Sequence, residues 1–358
     1  MHLYALILII PYFLSVLFIF NKLRKIKPFQ KGEISHVSIS IIVACRNEAK
    51  RITHLLETFA RQDYPTDLYE IIVIDDNSAD NTIDVVSSFP GIKNIRVIQN
   101  SGSGKKMAIM TGISNASGEL IITTDADCLA GIKWISTIAS FYQEHKPDMM
   151  ICPVKLNQTN GFFGRFQELE FMSLQAITAG TAAAGHPTIC NGANLAFTKR
   201  AYLGNSANLR FDIPTGDDVF LLHSMKKEGA AIEWLESNDA IVYTEAADGI
   251  KAFFRQRKRW ASKGTAYKDI DSIFLGIVTF VTICCQVLFF AAALYDIRYI
   301  LLFIPGFIIK SIPDFLILRK TLTRYNSQGL LKWFIPSQLI YPFYVLVISL
   351  SAFIPSRK

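Results

Sequence analysis

Apolar positions along this chain follow two distinct rhythms. Near the ends they run unbroken for about twenty residues at a time, the length that crosses a hydrocarbon core of about 30 Å. Such runs occupy residues 2–20, 273–294, 299–318 and 334–354. The third carries Lys310, Pro313 and Asp314 in its C-terminal half, so it reads either as a re-entrant segment or as a span lining a polar path. Between the runs, apolar residues come instead in short bursts that end in acids, asparagines and glycines, the signature of buried strands alternating with helices.

Taken in order, residues 37–44 read as a strand, followed by a loop at Cys45-Arg46-Asn47-Glu48. A helical stripe of Ile52, Leu55, Leu56 and Phe59 then ends at Gln62-Asp63-Tyr64-Pro65. A strand over residues 69–74 opens into Asp75-Asp76-Asn77-Ser78-Ala79-Asp80, where Ser78 or Asp80 can cap a helix starting at Thr82. A third strand, residues 95–99, leads to the Ser101-Gly102-Ser103-Gly104-Lys105-Lys106 loop and a helix to Ser114. The fourth, from Leu120, ends in Asp125-Ala126-Asp127. Strand and helix in alternation, with polar residues at each strand's C-terminal end, predict an α/β fold whose ligands gather at those ends. Thr188–Cys190 reads as a further strand before Gly192-Ala193-Asn194, and Val219–Leu222 as a helix carrying Asp217 and Asp218 at its N-terminus. Phe162, Phe166, Leu169, Met172 and Ala176 recur at helical spacing, and residues 251–260 mix Phe253 and Phe254 with arginines; both fit a membrane surface, the first equally an ordinary core helix.

Charge orients this pattern. Lys22, Arg24, Lys25, Lys27 and Lys31 follow the first run, and Arg319, Lys320, Arg324 and Lys332 separate the last two. Positive charge beside a span stays cytoplasmic, so both clusters place the N-terminus outside and residues 22–271 inside a plasma or inner membrane. The expected domains are an N-terminal span at 1–21, a cytoplasmic domain at 36–265 and a membrane domain at 273–354. The first run lacks the basic start and small-residue site of a cleavable signal. The net charge of +7 among 358 residues thus reads as orientation and anionic-lipid contact; no aromatic-basic motif points to nucleic acid. Six scattered cysteines without a CxxC pair predict free thiols. His186 and His223 lack zinc spacing and read as structural.

Two carboxylates, Asp125 and Asp127, at a strand tip can share one hard cation while leaving room for phosphate and water, which suits Mg²⁺ or Mn²⁺ bridging a diphosphate. The competing interpretation is a solvated pair of acids in a turn. Lys105 in its glycine-flanked loop suits a diphosphate by charge and open amides, or is a solvated lysine.

The ordered set Asn47-Glu48, Gln62-Asp63-Tyr64-Pro65, Asp75-Asp76-x-Ser78-x-Asp80-x-Thr82, Gly104-Lys105, Asp125-Ala-Asp127, Gly192-Ala-Asn194, Gly216-Asp217-Asp218 and Gln256-Arg257-Lys258-Arg259-Trp260 resembles the membrane-embedded family 2 inverting glycosyltransferases of GT-A fold, which include cellulose, chitin and hyaluronan synthases. The resemblance implies a nucleotide-sugar donor, a UDP-sugar foremost. Asp75 would meet the nucleobase and Asp76 the turn or ribose, with Glu48 and Lys105 also on the donor. Asp125 and Asp127 would hold metal and ribose, with Asp127 as the inner-sphere ligand. Asp218 would be the general base beside Asp217, and Asn194 would line the acceptor side. Arg259 would meet the leaving diphosphate, while Gln256 and Trp260 would hold the acceptor sugar. The implied product is a growing polysaccharide or, alternatively, a lipid carrying one sugar, with a homo-oligomer resolving how so few spans could wall a pore. Met110, Asp217 and Ala247 depart from the commoner Asn, Glu and Pro. Arg255, Arg257 and Lys258 read chiefly as a basic membrane face. Two other classes fit less well: a scaffold or channel with a vestigial nucleotide domain, and a metal-dependent nucleotidyltransferase.

Overall fold

The computed structural model describes residues 3–32 and 35–352. His2, Phe353 and Ile354, at the outer ends of the first and last apolar runs, lie outside the described residues. The chain divides into two compact units, one of Lys27–Asn157 with Ile189–Glu245 and one of Met1–Ile26, Gln158–Thr188 and Ala246–Lys358. Residues 158–188 and 246–265, expected inside the cytoplasmic domain, therefore pack with the apolar helices.

Among the described residues the first unit holds ten strands: β1 (Ile39–Cys45), β2 (Tyr69–Asp75), β3 (Ile95–Gln99), β4 (Leu120–Asp125), β5 (Leu129–Ala130), β6 (Met149–Ile151), β7 (Val154–Leu156), β8 (Leu195–Thr198), β9 (Ile232–Trp234) and β10 (Val242–Thr244). Seven form one sheet in the order β3-β2-β1-β4-β8-β6-β9, and β5-β10-β7 form a second. β3, β2, β1 and β4 are parallel neighbours, as the alternating pattern predicts, and β8 enters antiparallel to β4. Both faces of the parallel part are covered, so Ile41, Ile42, Val43, Ile71–Ile74 and Leu120–Ile122 are almost wholly buried, and these strands read as continuous apolar runs without alternation.

The strand expected at Thr188–Cys190 is absent. The chain instead makes a one-turn 3₁₀ helix at Gly192–Asn194, capped by the Asn191 side chain, and only then enters β8. Leu195–Thr198 is buried throughout between β4 and β6, and that central slot outweighs the β-branched side chains of Thr188 and Ile189.

Close packing of turns on the sheet is tightest at Gly118. A Cβ there would lie 2.5 Å from the Ser40 nitrogen and 2.6 Å from the Ile39 carbonyl carbon, both backbone atoms that cannot step aside. Gly118→Ala should cost about 1–3 kcal/mol, the range for overpacking, read as a lower thermal midpoint; an unchanged midpoint would show that the turn yields freely.

In the second unit, helices over Tyr4–Leu23, Ile270–Tyr295, Ile297–Arg324 and Gln328–Ala352 are long and apolar enough to cross a membrane. The third segment is not broken at its polar residues, since α-helix runs from Ile300 to Arg324 through Pro305 and Pro313. Lys310 is buried and donates to Asp314 Oδ2 (2.6 Å) and Gln338 Oε1 (2.7 Å), while Tyr12 donates to Asp314 Oδ1 (2.7 Å). A charge pair that hydrocarbon would reject is thereby satisfied among three helices. Residues 161–183 form one helix buried on most sides; at Gly180 a Cβ would meet Ile19 at 2.4 Å, so this is a packed helix of the unit and not one lying on a surface.

Candidate active site

Parallel register places the functional acids. Cys45 pairs with Asp75, and Ala44 with Asp125, so the carboxylates that end β2 and β4 flank the tip of β1. The loop after β1 is stitched to the turn after β2. Asn47, at φ +58°, donates its N–H to Ser78 Oγ (3.0 Å) and accepts from the Ala79 N–H (2.7 Å). The Glu48 and Ala49 amides reach Thr82 Oγ1 (2.9 Å) and Asp80 Oδ2 (3.2 Å). Asp80 also accepts from the Thr82 amide at 3.1 Å, whereas Ser78 is committed to Asn47.

Asp75 is buried and accepts from the Ser78 amide at 3.1 Å. Asp76 is buried too and grips the glycine loop, accepting from the Gly104 amide (2.9 Å) and from Asn100 Nδ2 (2.6 Å). Asn100, which sequence reasoning passed over, also accepts from the Gly102 amide at 3.2 Å, so one amide side chain organises both the acid and the loop. Gly104, at φ +87°, supplies a backbone conformation that other residues resist and starts the helix Lys105–Asn115.

Lys105 then crosses to the β4 acids, with Nζ 2.5 Å from Asp125 Oδ1. Burial opposes its charge, yet Asp125, Asp217 and Asp218 outweigh burial and push the ammonium's pKa upward. Asp127 is held upward by burial and by Asp125, and Thr244 Oγ1 lies 3.4 Å from its Oδ2. Glu48 is raised by burial, with Arg51 opposing and Asp127, Asp125 and Asp80 reinforcing the rise. Its Oε2 is buried without a hydrogen-bond partner, and the Arg51 Nε stands 3.6 Å away. Among the described residues no three or more His, Cys, Asp or Glu side chains form a ready metal cage. The two crowded carboxylates nonetheless fit a hard cation that takes few protein oxygens and completes its shell from water and phosphate.

Asp217 and Asp218 occupy the first turn of the helix Asp217–Lys227, after Gly216 at φ +88°. Asp218 is held at both oxygens: Oδ1 accepts from the Val219 amide (2.8 Å) and Oδ2 from the Gly192 amide (3.1 Å). Gly192 therefore belongs to the site through its backbone. Asn194 does not reach it. Wholly buried, Asn194 accepts from Trp134 Nε1 (3.0 Å) and donates to the carbonyls of Pro153 and Ala240 (both 2.8 Å), which spends its amide on locking the two sheets. The amide expected on the acceptor side is thus engaged within the protein as a structural crosslink.

Residues 40–204 match the family model described as "Glycosyl transferase family 2". This segment is a family 2 glycosyltransferase domain. A solved mannosyltransferase of Pyrobaculum calidifontis aligns over 95% of this chain and 99% of its own, with a TM-score of 0.59 at 17% identity, which fixes the fold as GT-A. By sequence, a poly-β-1,6-N-acetyl-D-glucosamine synthase of Staphylococcus epidermidis is 26% identical over 74% of this chain and 66% of its own length. A dolichyl N-acetyl-α-D-glucosaminyl phosphate 3-β-D-2,3-diacetamido-2,3-dideoxy-β-D-glucuronosyltransferase of Methanococcus voltae is 27% identical over 63% and 73%. A poly(ribitol-phosphate) β-N-acetylglucosaminyltransferase of Staphylococcus aureus is 31% identical over 35% of this chain, which spans only 22% of that protein.

In the second unit, Gln256, Arg259 and Trp260 ride the helix Gly249–Gly264. The charge run is not uniform there. Arg259 is exposed, whereas Arg257, expected on a basic membrane face, is buried. It forms a forked pair with Glu170 (Nε–Oε1 3.0 Å, Nη2–Oε2 2.6 Å), with its guanidinium 4.2 Å from the Trp260 ring and bonded to Gln256. The pair fixes both side chains expected to hold an acceptor sugar.

Proposed function

We propose that this glycosyltransferase domain works as a metal-dependent inverting enzyme, moving sugar from a nucleotide donor, a UDP-sugar foremost, to a growing polysaccharide at the cytoplasmic face of a membrane. The observation that carries the reading is the Lys105 ammonium lying among Asp125, Asp217 and Asp218. Its contact is with Asp125, and the charges of Asp217 and Asp218 are near enough to favour the same ammonium, which supports a shared crevice for donor and base.

The chemistry follows from these groups. Asp75 and Asp76 set the nucleoside end, and Lys105 offers charge to the diphosphate. Mg²⁺ or Mn²⁺, held by Asp125 and Asp127, would neutralise the diphosphate as it leaves; the Pyrobaculum neighbour was solved with GDP-mannose and Mn²⁺. Asp218 takes the proton of the acceptor hydroxyl as that oxygen attacks the anomeric carbon. Attack opposite the leaving nucleotide inverts the centre without a covalent enzyme intermediate. Arg259 is assigned to the leaving diphosphate by the Gln-x-x-Arg-Trp motif, and Gln256 with Trp260 to the acceptor sugar.

A lipid acceptor is the second reading, favoured by the dolichyl-linked name of the Methanococcus relative. Membranes holding the full chain, given a panel of nucleotide sugars with Mg²⁺ and then Mn²⁺, should release nucleotide from one donor, and EDTA should abolish that release until metal is restored. A ladder of labelled products supports the polymer, and a single organic-phase product supports the lipid. No nucleotide release from any donor with either metal would overturn the transferase reading, and release untouched by EDTA would overturn the metal.

A further inference from the structure

Lys106, adjacent to Lys105, points its charge elsewhere. It is 5% exposed, and its Nζ donates to the carbonyls of Leu209 and Arg210, both at 2.8 Å. The same nitrogen lies 4.7 Å from the centre of the Phe220 ring. Leu209 and Arg210 precede the acids Asp217 and Asp218, while Phe220 follows them on the same helix. One buried ammonium therefore holds the segment bearing the proposed base from both sides.

The other end of this contact is rigid. The helix Lys105–Asn115 lies so close to the sheet that a Cβ on Gly112 would meet Ile42 at 2.6 Å and Ile74 at 3.2 Å. On the far side Arg210 stands at φ +53°, a conformation costly for a residue with a Cβ, and its guanidinium is bound to Asp212 at 2.7 and 2.9 Å. A chain held in that conformation while surrendering two carbonyls to a buried ammonium has been fixed in place. Lys106 also shares the wall of a small cavity with Thr123, Gly192, Tyr202, Asp217 and Asp218.

We infer that Lys106 is a positioning residue for sugar transfer: through Leu209, Arg210 and Phe220 it holds the Asp218 carboxylate at a set distance from Lys105, its neighbour at the N-terminus of the helix Lys105–Asn115. Its ammonium is engaged by the two carbonyls and the Phe220 ring. The inference rests on the transferase reading of Asp218. Displacing a catalytic group by about 1 Å can lower turnover about a hundredfold without weakening ground-state binding.

The test uses the full chain in detergent with UDP-N-acetylglucosamine, UDP and Mn²⁺ as probes. Lys106→Met should lower kcat about tenfold to a hundredfold while donor KM and UDP affinity stay within about twofold, and Lys106→Arg should fall between it and the wild type. Amide exchange over residues 209–218 should quicken in Lys106→Met while residues 75–82 keep their protection. That readout needs no turnover, so it stands even if the wild type proves inactive and the transferase reading fails. Unchanged exchange and kcat in Lys106→Met would overturn the inference. So would kcat and donor affinity falling together by one factor in both variants, which marks general loosening of the fold.

Discussion

Asp218→Asn is expected to lower kcat by about 10²-fold or more while UDP binding stays within about twofold of the wild type. The substitution keeps the size and planarity of the side chain. Its two anchoring contacts, from the Val219 amide at 2.8 Å and the Gly192 amide at 3.1 Å, can in part be retained by the amide oxygen. What disappears is the lone pair basic enough to take a hydroxyl proton. Asp217 is the control, since it shares the helix N-terminus and the neighbourhood of Lys105. If the motif assigns the base correctly, Asp217→Asn is the milder change. Nucleotide release and UDP titration measured on both variants decide the matter: equal losses would shift the base to the pair, and full activity of Asp218→Asn would remove Asp218 from the role of base.

Much of the donor side was legible because strand physics and chemistry coincide there. Runs such as Ile71-Ile72-Val73-Ile74 must be buried on two faces, and an acid directly after such a run marks the sheet edge where the chain emerges. Asp75 and Asp125 are therefore placed by the same signal that places β2 and β4. The internal partners of Asn194 were not legible, because a Gly-Ala-Asn turn looks alike whether its amide faces a ligand or three partners distant in sequence. Lys106 carries no periodic signal at all; only the packing of residues 209–220 on its helix separates it from Lys105. The interleaving of residues 158–188 and 246–265 with the apolar helices depends on contacts such as that of Gly180 with Ile19, which no local pattern encodes. Arg257 is different, since Phe253, Arg257 and Trp260 stand at i, i+4 and i+7, one face of a helix. The sequence contained that clue inside the charge run.

Arg257→Met should accordingly be one of the most damaging substitutions outside the crevice, costing the second unit about 3–5 kcal/mol, because it strands a buried carboxylate. The side chains of Arg257 and Glu170 are 4% and 7% exposed, and Tyr344 OH donates to Glu170 Oε1 at 3.1 Å without supplying a countercharge. Around them Phe166, Phe253, Tyr344 and Ile348 form an apolar cluster that offers no water to a lone acid. Glu170→Gln should be milder, since a neutral amide still accepts from the guanidinium, although the arginine then keeps a buried charge. Replacing both partners, Arg257→Met with Glu170→Met, removes the two charges together and should recover most of the loss. The apparent thermal midpoint of the full chain in detergent provides the comparison. Recovery in the double variant identifies the stranded charge as the cause, whereas additive loss would mean that packing against Phe253 and Trp260, 4.6 and 4.2 Å from the guanidinium, carries the stability.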